Sequence, residues 1–344
     1  MEIDVTQKIK QQKERRRKET LLALLLMSPF LIIFILFSLV PVASGFVFSF
    51  MKYNPYDPGN NRPVGFENYQ NLFMPGHPIS KLFWDSFSTM FLFDLVTVPL
   101  LIVIPLALAY LVNMQPPGYK LFRAIIYLPS VVSITIVGII FGNMFEGNEQ
   151  GLINAIFGTK IDWMGGKPWE GDTLRWLVML IASIWWQTGT NFVIFSGALR
   201  DVPKSLYEAC EMDGGGRWKR ILYVTFPNIR SSITICLFNT LIGYLGLYGQ
   251  PYTLNTMENQ SIFVSPMMFL QNYLMGGLTY AKQTGYLCAA TIVFGLIVMF
   301  FGIVQRIVTS PRKKRTKHAE TYAQFVENRV AFAETGAVGG ENHE

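Results

Sequence analysis

Residues Asp201 to Ile229 read DVPKSLYEACEMDGGGRWKRILYVTFPNI and lie between two long apolar segments. Asp201, Lys204, Glu208, Glu211, Asp213, Arg217, Lys219 and Arg220 crowd the stretch. Each such charge costs about 2.5–3.5 kcal/mol at the centre of a bilayer, so the stretch belongs in water. It still carries helical spacing. Leu206, Ala209 and Cys210 fall at i, i+3, i+4, and Trp218, Ile221 and Leu222 repeat the pattern. Gly214, Gly215 and Gly216 separate the halves and permit the left-handed backbone that ends a helix. Pro203 suits a first helical turn and Pro227 the entry to the next helix. The pattern predicts two short amphipathic helices joined by a glycine turn and held at a membrane surface.

Outward from this stretch the chain is apolar. Half of its 344 residues are hydrophobic (51%) and only 15% are charged, and the apolar ones gather in runs long enough to cross a bilayer. The expected architecture is an all-α, polytopic bundle of six transmembrane spans, at about 20–50, 84–112, 122–144, 174–199, 229–249 and 285–308. A basic segment (1–19) precedes the spans, and a tail (309–344), expected to be disordered, follows them. The net charge of +6 is no sign of nucleic-acid binding, because the basic residues gather at segment ends. With both termini and the 113–123 and 200–230 loops on one side, that side holds all but seven of the 29 Lys and Arg. The seven are Lys52, Arg62, Lys81, Lys160, Lys167, Arg175 and Lys282. The bias makes the first side cytoplasmic.

Tyr207-Glu208-Ala209-Cys210, then Met212-Asp213-Gly214, then Phe226-Pro227 resembles the "EAA" loop of ABC importer permeases. Tyr before Glu, with Asp-Gly after it, is similar to the carbohydrate branch: the maltose, glycerol-phosphate and multiple-sugar permeases. Phe122-Arg123-Ala124 with Leu128-Pro129, and Gly65-Phe66-Glu67-Asn68-Tyr69, also look like that family, as do Asn154 and Trp163. Cys210 departs from the family's usual Ala, and so does Gly215, which is often Ala.

The resemblance implies a type I importer permease in a bacterial inner or plasma membrane. It implies a second homologous permease subunit, two ATPase subunits and an extracytoplasmic solute-binding protein that delivers a carbohydrate. Tyr207, Glu208, Ala209, Cys210, Asp213, Gly214 and Pro227 would then couple the bundle to the ATPase. No cofactor is expected in this chain, with ATP and Mg on the partner ATPase: no G-x-x-x-x-G-K-[ST] occurs, and the nearest string, Gly165-Gly166-Lys167-Pro168, fails the pattern.

Polar residues inside the spans are candidates for a solute path. They are Asp94 in the second span, Trp185, Gln187 and Asn191 in the fourth, and Asn239, Tyr244 and Tyr248 in the fifth. Aromatic faces suit the C–H surfaces of sugars, and amides suit their hydroxyls. For any single residue, interhelical hydrogen bonding or interface anchoring is the plainer reading. The three cysteines (Cys210, Cys236, Cys288) and three histidines have no metal or disulfide spacing, so no metal site is expected. A membrane enzyme would need a partnered acid or a nucleophile with a base at bilayer depth, and only Asp94 is ionisable there. A channel, a secondary transporter or an importer for a non-sugar solute are the other readings.

Overall fold

The computed structural model describes residues 2–147, 149, 151–163, 174–254, 265–275 and 284–309. The sequence expectations for 310–344 and for parts of the loops at 145–173 and 250–284 lie outside them. Met1–Gln305 form one compact unit. Among the described residues, five helices are long and apolar enough to cross a membrane, or six if a bent pair counts as one span.

The first helix is one rod with a π turn in it: α1 (Glu2–Phe34), the π turn Ile35–Leu39, then α2 (Val40–Ser49). The basic segment is therefore the continuation of the first span, and Arg15 Nε bonds Glu19 Oε1 one turn on, at 3.0 Å. Most of the apolar length of this rod is exposed, and only its end at Ser49 is buried. A two-residue ladder follows, β1 (Met51–Lys52) antiparallel to β2 (Arg62–Pro63). Next come α3 (Glu67–Phe73) and the 36-residue α4 (Pro78–Asn113). The 65–69 motif staples this end. Asn68 Nδ2 donates to the carbonyls of Ser49 (2.8 Å) and Met51 (3.0 Å), and the Tyr69 hydroxyl bonds Ser49 Oγ at 2.7 Å.

The expected third span is not straight. It divides into α5 (Tyr119–Val131) and α6 (Ile134–Met144), bent by 96°. Pro129 withdraws a backbone donor near the end of α5, and Val132 and Ser133 are extended. The Val132 carbonyl freed at the break accepts from Trp186 Nε1 at 2.8 Å, so the bend is satisfied from a neighbouring helix. Within α7 (Leu152–Phe157), Asn154 is buried and orders the loop that follows. Its Oδ1 accepts from Trp163 Nε1 and Thr159 Oγ1, both at 2.9 Å.

The centre of the bundle is α4 against α8 (Leu174–Arg200), with α11 (Phe226–Leu245) on both. Phe192, Phe195, Ile102, Ala109 and Ile229 fill one core, and Phe93, Leu101, Val178, Met179 and Tyr244 fill another. One short helix, α9 (Lys204–Met212), lies between α8 and α11, and α10 (Arg217–Lys219) is the first turn of the helix that runs on into α11. Beyond α11, α12 (Gly249–Leu254) folds back on α6. Gly138 makes this contact possible, since a Cβ there would overlap the Thr253 side chain. The helices α13 (Pro266–Met275) and α14 (Thr284–Thr309) complete the described chain. A third core joins α13 and α14 to the start of α4 through Phe269, Leu287 and Phe83.

Candidate functional site

The segment after α8 forms a compact elbow. Pro203 begins α9, and its C-terminus closes with two reversed hydrogen bonds. Gly215 N–H donates to the Cys210 carbonyl (2.8 Å) and Gly214 N–H to that of Glu211 (3.0 Å). This is the Schellman closure, and it needs a left-handed residue, supplied by Gly214 at φ +70°. Gly215 is constrained differently: a Cβ there would sit 2.5 Å from the Cys210 carbonyl oxygen and against its Sγ. The two departures from the family pattern, Cys210 and Gly215, thus meet in space.

The second half of the segment differs from the sequence expectation. It is not a separate short helix. From Arg217 to Leu245 the chain is one 29-residue helix, made of α10, a π turn (Arg220–Thr225) and α11. Pro227 therefore lies inside a continuous helix rather than at an entry. The wider turn lies immediately before the position that lacks an N–H, and side chains cap nearby carbonyls: Thr225 Oγ1 on Arg220 at 3.3 Å, Asn228 Nδ2 on Val224 at 2.6 Å. Two ties hold α9 against this turn. The Tyr207 hydroxyl bonds Thr225 Oγ1 at 3.1 Å, and Glu211 pairs with Arg220. Glu208 is exposed and has no partner among the described residues, so Glu211 rather than Glu208 makes the junction ion pair.

The faces of α9 also differ from expectation. Tyr207 and Cys210 turn inward onto the core of α4, α8 and α11, while Leu206, Ala209 and Met212 face out. Cys210 thus leaves the outward apolar face and Met212, 89% exposed, joins it. Trp218 (77% exposed) and Asp213 are exposed as well. Leu206, Ala209 and Met212 thus form an exposed apolar stripe on a segment whose charges keep it in water.

The path candidates split into two groups. Asp94, Asn191 and Tyr244 are buried in the bundle. Asn191 Nδ2 donates to the Leu101 carbonyl (2.8 Å) and to Thr240 Oγ1 (3.1 Å), joining α8 to α4 and α11. The Tyr244 hydroxyl donates to the Ser183 carbonyl at 3.4 Å. Both act as interhelical ties rather than as an open lining. Among the described residues, Asp94 has neither carboxyl oxygen hydrogen-bonded, and the Thr97 hydroxyl, one turn on, has no partner either. The other four are accessible. Trp185 is exposed and packs its ring 5.7 Å from Phe141. Gln187 is half-buried, and Tyr248 stacks on Tyr252 at 5.2 Å. Asn239 is exposed and accepts from Gln305 Nε2 at 2.8 Å.

One polar tie was missed at the sequence level. Gln250 is fully buried; its Nε2 donates to the Met179 carbonyl (3.2 Å) and its Oε1 accepts from Ser183 Oγ (3.1 Å). The only signal was an amide beside Pro251 directly after an apolar run. The loop assigned there concealed that α12 folds back into the bundle.

The comparisons with known proteins agree with this geometry. Residues 79–314 match the family described as "Binding-protein-dependent transport system inner membrane component". The chain is 27% identical over 299 residues to the "Arabinooligosaccharides transport system permease protein" of Halalkalibacterium halodurans, covering 84% of this chain and 88% of that protein. It is 29% identical to the "Lactose transport system permease protein" of Rhizobium radiobacter, over 63% of this chain and 72% of that one. Among solved structures, a chain of a bacterial ABC transporter that imports the acidic polysaccharide alginate superposes with a TM-score of 0.68 at 20% identity. That superposition covers 87% of this chain and 99% of the other. With its multi-pass helical bundle and its folded-back turn at 201–229, this chain has the type I ABC importer permease fold and belongs to the binding-protein-dependent transport system inner membrane components.

Proposed function

We propose that this chain is one of two membrane-spanning subunits of an ATP-driven importer for a sugar or oligosaccharide. The observation that carries the reading is the elbow at 201–229. It packs on the bundle core through Tyr207 and Cys210, is tied internally by Tyr207–Thr225 and Glu211–Arg220, and presents Leu206, Ala209 and Met212 outward. A force-transmitting element needs this combination: rigid attachment on one face and an apolar contact surface on the other. The charge bias supports a cytoplasmic elbow and cytoplasmic termini, within reach of separate ATPase subunits that would bind ATP and Mg. An extracytoplasmic binding protein would deliver the solute at the opposite end.

Closure of the ATPases would then drive the elbow, and with it the 29-residue helix that begins at Arg217. In this reading Trp185, Gln187, Asn239 and Tyr248 line the path, while Asp94, Asn191 and Tyr244 set the spacing of the helices that carry them. The relatives named for arabinooligosaccharides and lactose support the carbohydrate class.

The test is reconstitution of this chain with the subunits that co-purify with it and with its binding protein. Uptake of labelled arabino-oligosaccharides, lactose, an amino acid and phosphate is then compared. ATP-dependent uptake of a sugar is the expected result. Uptake of the amino acid or phosphate alone would replace the carbohydrate reading with a non-sugar importer. Uptake that needs no ATP would overturn the ABC reading.

A further inference from the structure

A pocket of about 460 Å³ opens between α5 and α8, at the end of the bundle that carries the elbow. Arg123, Tyr127, Phe192, Val193, Ser196 and Arg200 line it. The function derived above does not use it, although Arg123 belongs to one of the family-like motifs.

Its polar groups are donors awaiting an acceptor. Ser196 is nine-tenths buried and its Oγ has no hydrogen-bond partner among the described residues. Arg123 is half-buried, and its Nε is buried without an acceptor. Its guanidinium stacks 5.5 Å from the Tyr119 ring centre, a contact that leaves the N–H edge free. Arg200, in the last turn of α8, has no ion pair among the described residues. No carboxylate lines the pocket. Two guanidiniums and a hydroxyl call for an anion with several acceptor oxygens, and phosphate meets that geometry better than a single carboxylate does.

The surroundings narrow the source of the phosphate. Tyr127 and Val193 line the pocket and are exposed, and Phe122, Ile125 and Leu128 make the remaining surface of α5 apolar and exposed. A free anion has no use for such a flank, whereas a lipid would lay its acyl chains there. The volume also exceeds what one acidic side chain would fill and suits a headgroup with its glycerol. Basic pockets between transmembrane helices at the cytoplasmic end are suited to anionic headgroups. We propose that the Arg123–Ser196–Arg200 pocket binds the phosphate of an anionic membrane phospholipid, in the leaflet on the side of the elbow, with the acyl chains along α5.

The test uses the complete transporter, this chain with the subunits that co-purify with it. The complex is equilibrated with equal amounts of phosphatidylglycerol and phosphatidylcholine, and retained lipid is counted by native mass spectrometry. Wild type is expected to keep phosphatidylglycerol preferentially. Replacing both arginines (Arg123→Gln with Arg200→Gln) should lower that retention about tenfold or more, at roughly fivefold per arginine. Ser196→Ala should lower it about threefold. Arg62→Gln, a cation in the β ladder outside the pocket, should leave it unchanged.

Several results would overturn the assignment. One is equal retention of the two lipids by wild type, and another is a loss in Arg62→Gln matching that of the double variant. Displacement of the lipid by an equal concentration of inorganic phosphate would mean a free-anion site. Loss of the second permease subunit from the double variant, with the lipid count per chain unchanged, would mean that a neighbour's acidic side chain fills the pocket. If the double variant fails to assemble, unchanged retention in Ser196→Ala is sufficient to reject the proposal.

Discussion

The elbow at 201–229 and the polar seam in the middle of the bundle use hydrogen bonds in opposite ways. In the elbow the bonds are short-range: Gly215 to Cys210, Gly214 to Glu211, Tyr207 to Thr225. They bend a chain whose outer surface stays in contact with water. In the seam the bonds join residues far apart in sequence: Asn191 to Leu101 and Thr240, Tyr244 to Ser183, Gln250 to Met179. They hold whole helices together where no water competes. Local bonds shape the elbow, and long-range bonds hold the frame that carries it.

The largest expected effect separates the two adjacent glycines of the elbow. Gly215→Ala places a Cβ 2.5 Å from a backbone oxygen, and only a backbone shift relieves that. Gly214→Ala meets open space and carries only the left-handed backbone cost of about 1–2 kcal/mol. In the reconstituted complex Gly215→Ala should abolish sugar-stimulated ATP hydrolysis, while Gly214→Ala should reduce it several-fold. The reverse order would show that the turn's conformation matters more than its packing against Cys210.

The next effect lies in the seam. Asn191→Leu removes both interhelical bonds and leaves the Leu101 carbonyl and Thr240 hydroxyl without that donor. The thermal stability of the detergent-solubilised complex should fall by the equivalent of about 1–2 kcal/mol. Trp185→Ala, on an accessible ring, should leave stability within about 0.5 kcal/mol of wild type and change the sugar preference of uptake. If both variants alter only uptake, the division between frame and path fails.

A smaller effect tests how α9 is tied to the helix it is meant to move. Tyr207→Phe removes one partly buried hydroxyl contact worth about 0.5–1.5 kcal/mol. A double-mutant cycle with Thr225→Val should return a coupling of that size, and the maximal rate of sugar-stimulated hydrolysis should drop about twofold to fivefold. Additive single and double variants would mean that the 3.1 Å contact transmits nothing.

The smallest effect is expected from Glu211→Gln. The ion pair with Arg220 is half exposed, with side chains 52% and 34% accessible. Such pairs contribute about 0–1 kcal/mol and weaken in salt. Turnover should change less than about twofold, and the difference from wild type should shrink further at high ionic strength. A large, salt-independent loss would show that this pair, and not the Tyr207–Thr225 contact, is the stronger of the two ties.

Much of this protein was legible from residue order because the governing physics is local. A run of some twenty apolar residues has no soluble alternative, and eight charges in one stretch have no place in a bilayer. The all-helical membrane class, the type I importer permease family and the glycine turn followed from that and from motif spacing. What residue order left open depended on contacts between distant segments. The bend at 131–134 is sustained by Trp186, more than fifty residues away, and no periodicity in 122–144 reports that partner. Whether Asn191 lines a path or ties helices depended on Leu101 and Thr240 lying beside it. Likewise, the 206/209/210 spacing marked an apolar face but not its direction. Cys210 turns inward and Met212 outward because the core of α4, α8 and α11 lies on one side of α9. A sequence specifies which surfaces must be buried, and only packing decides against what.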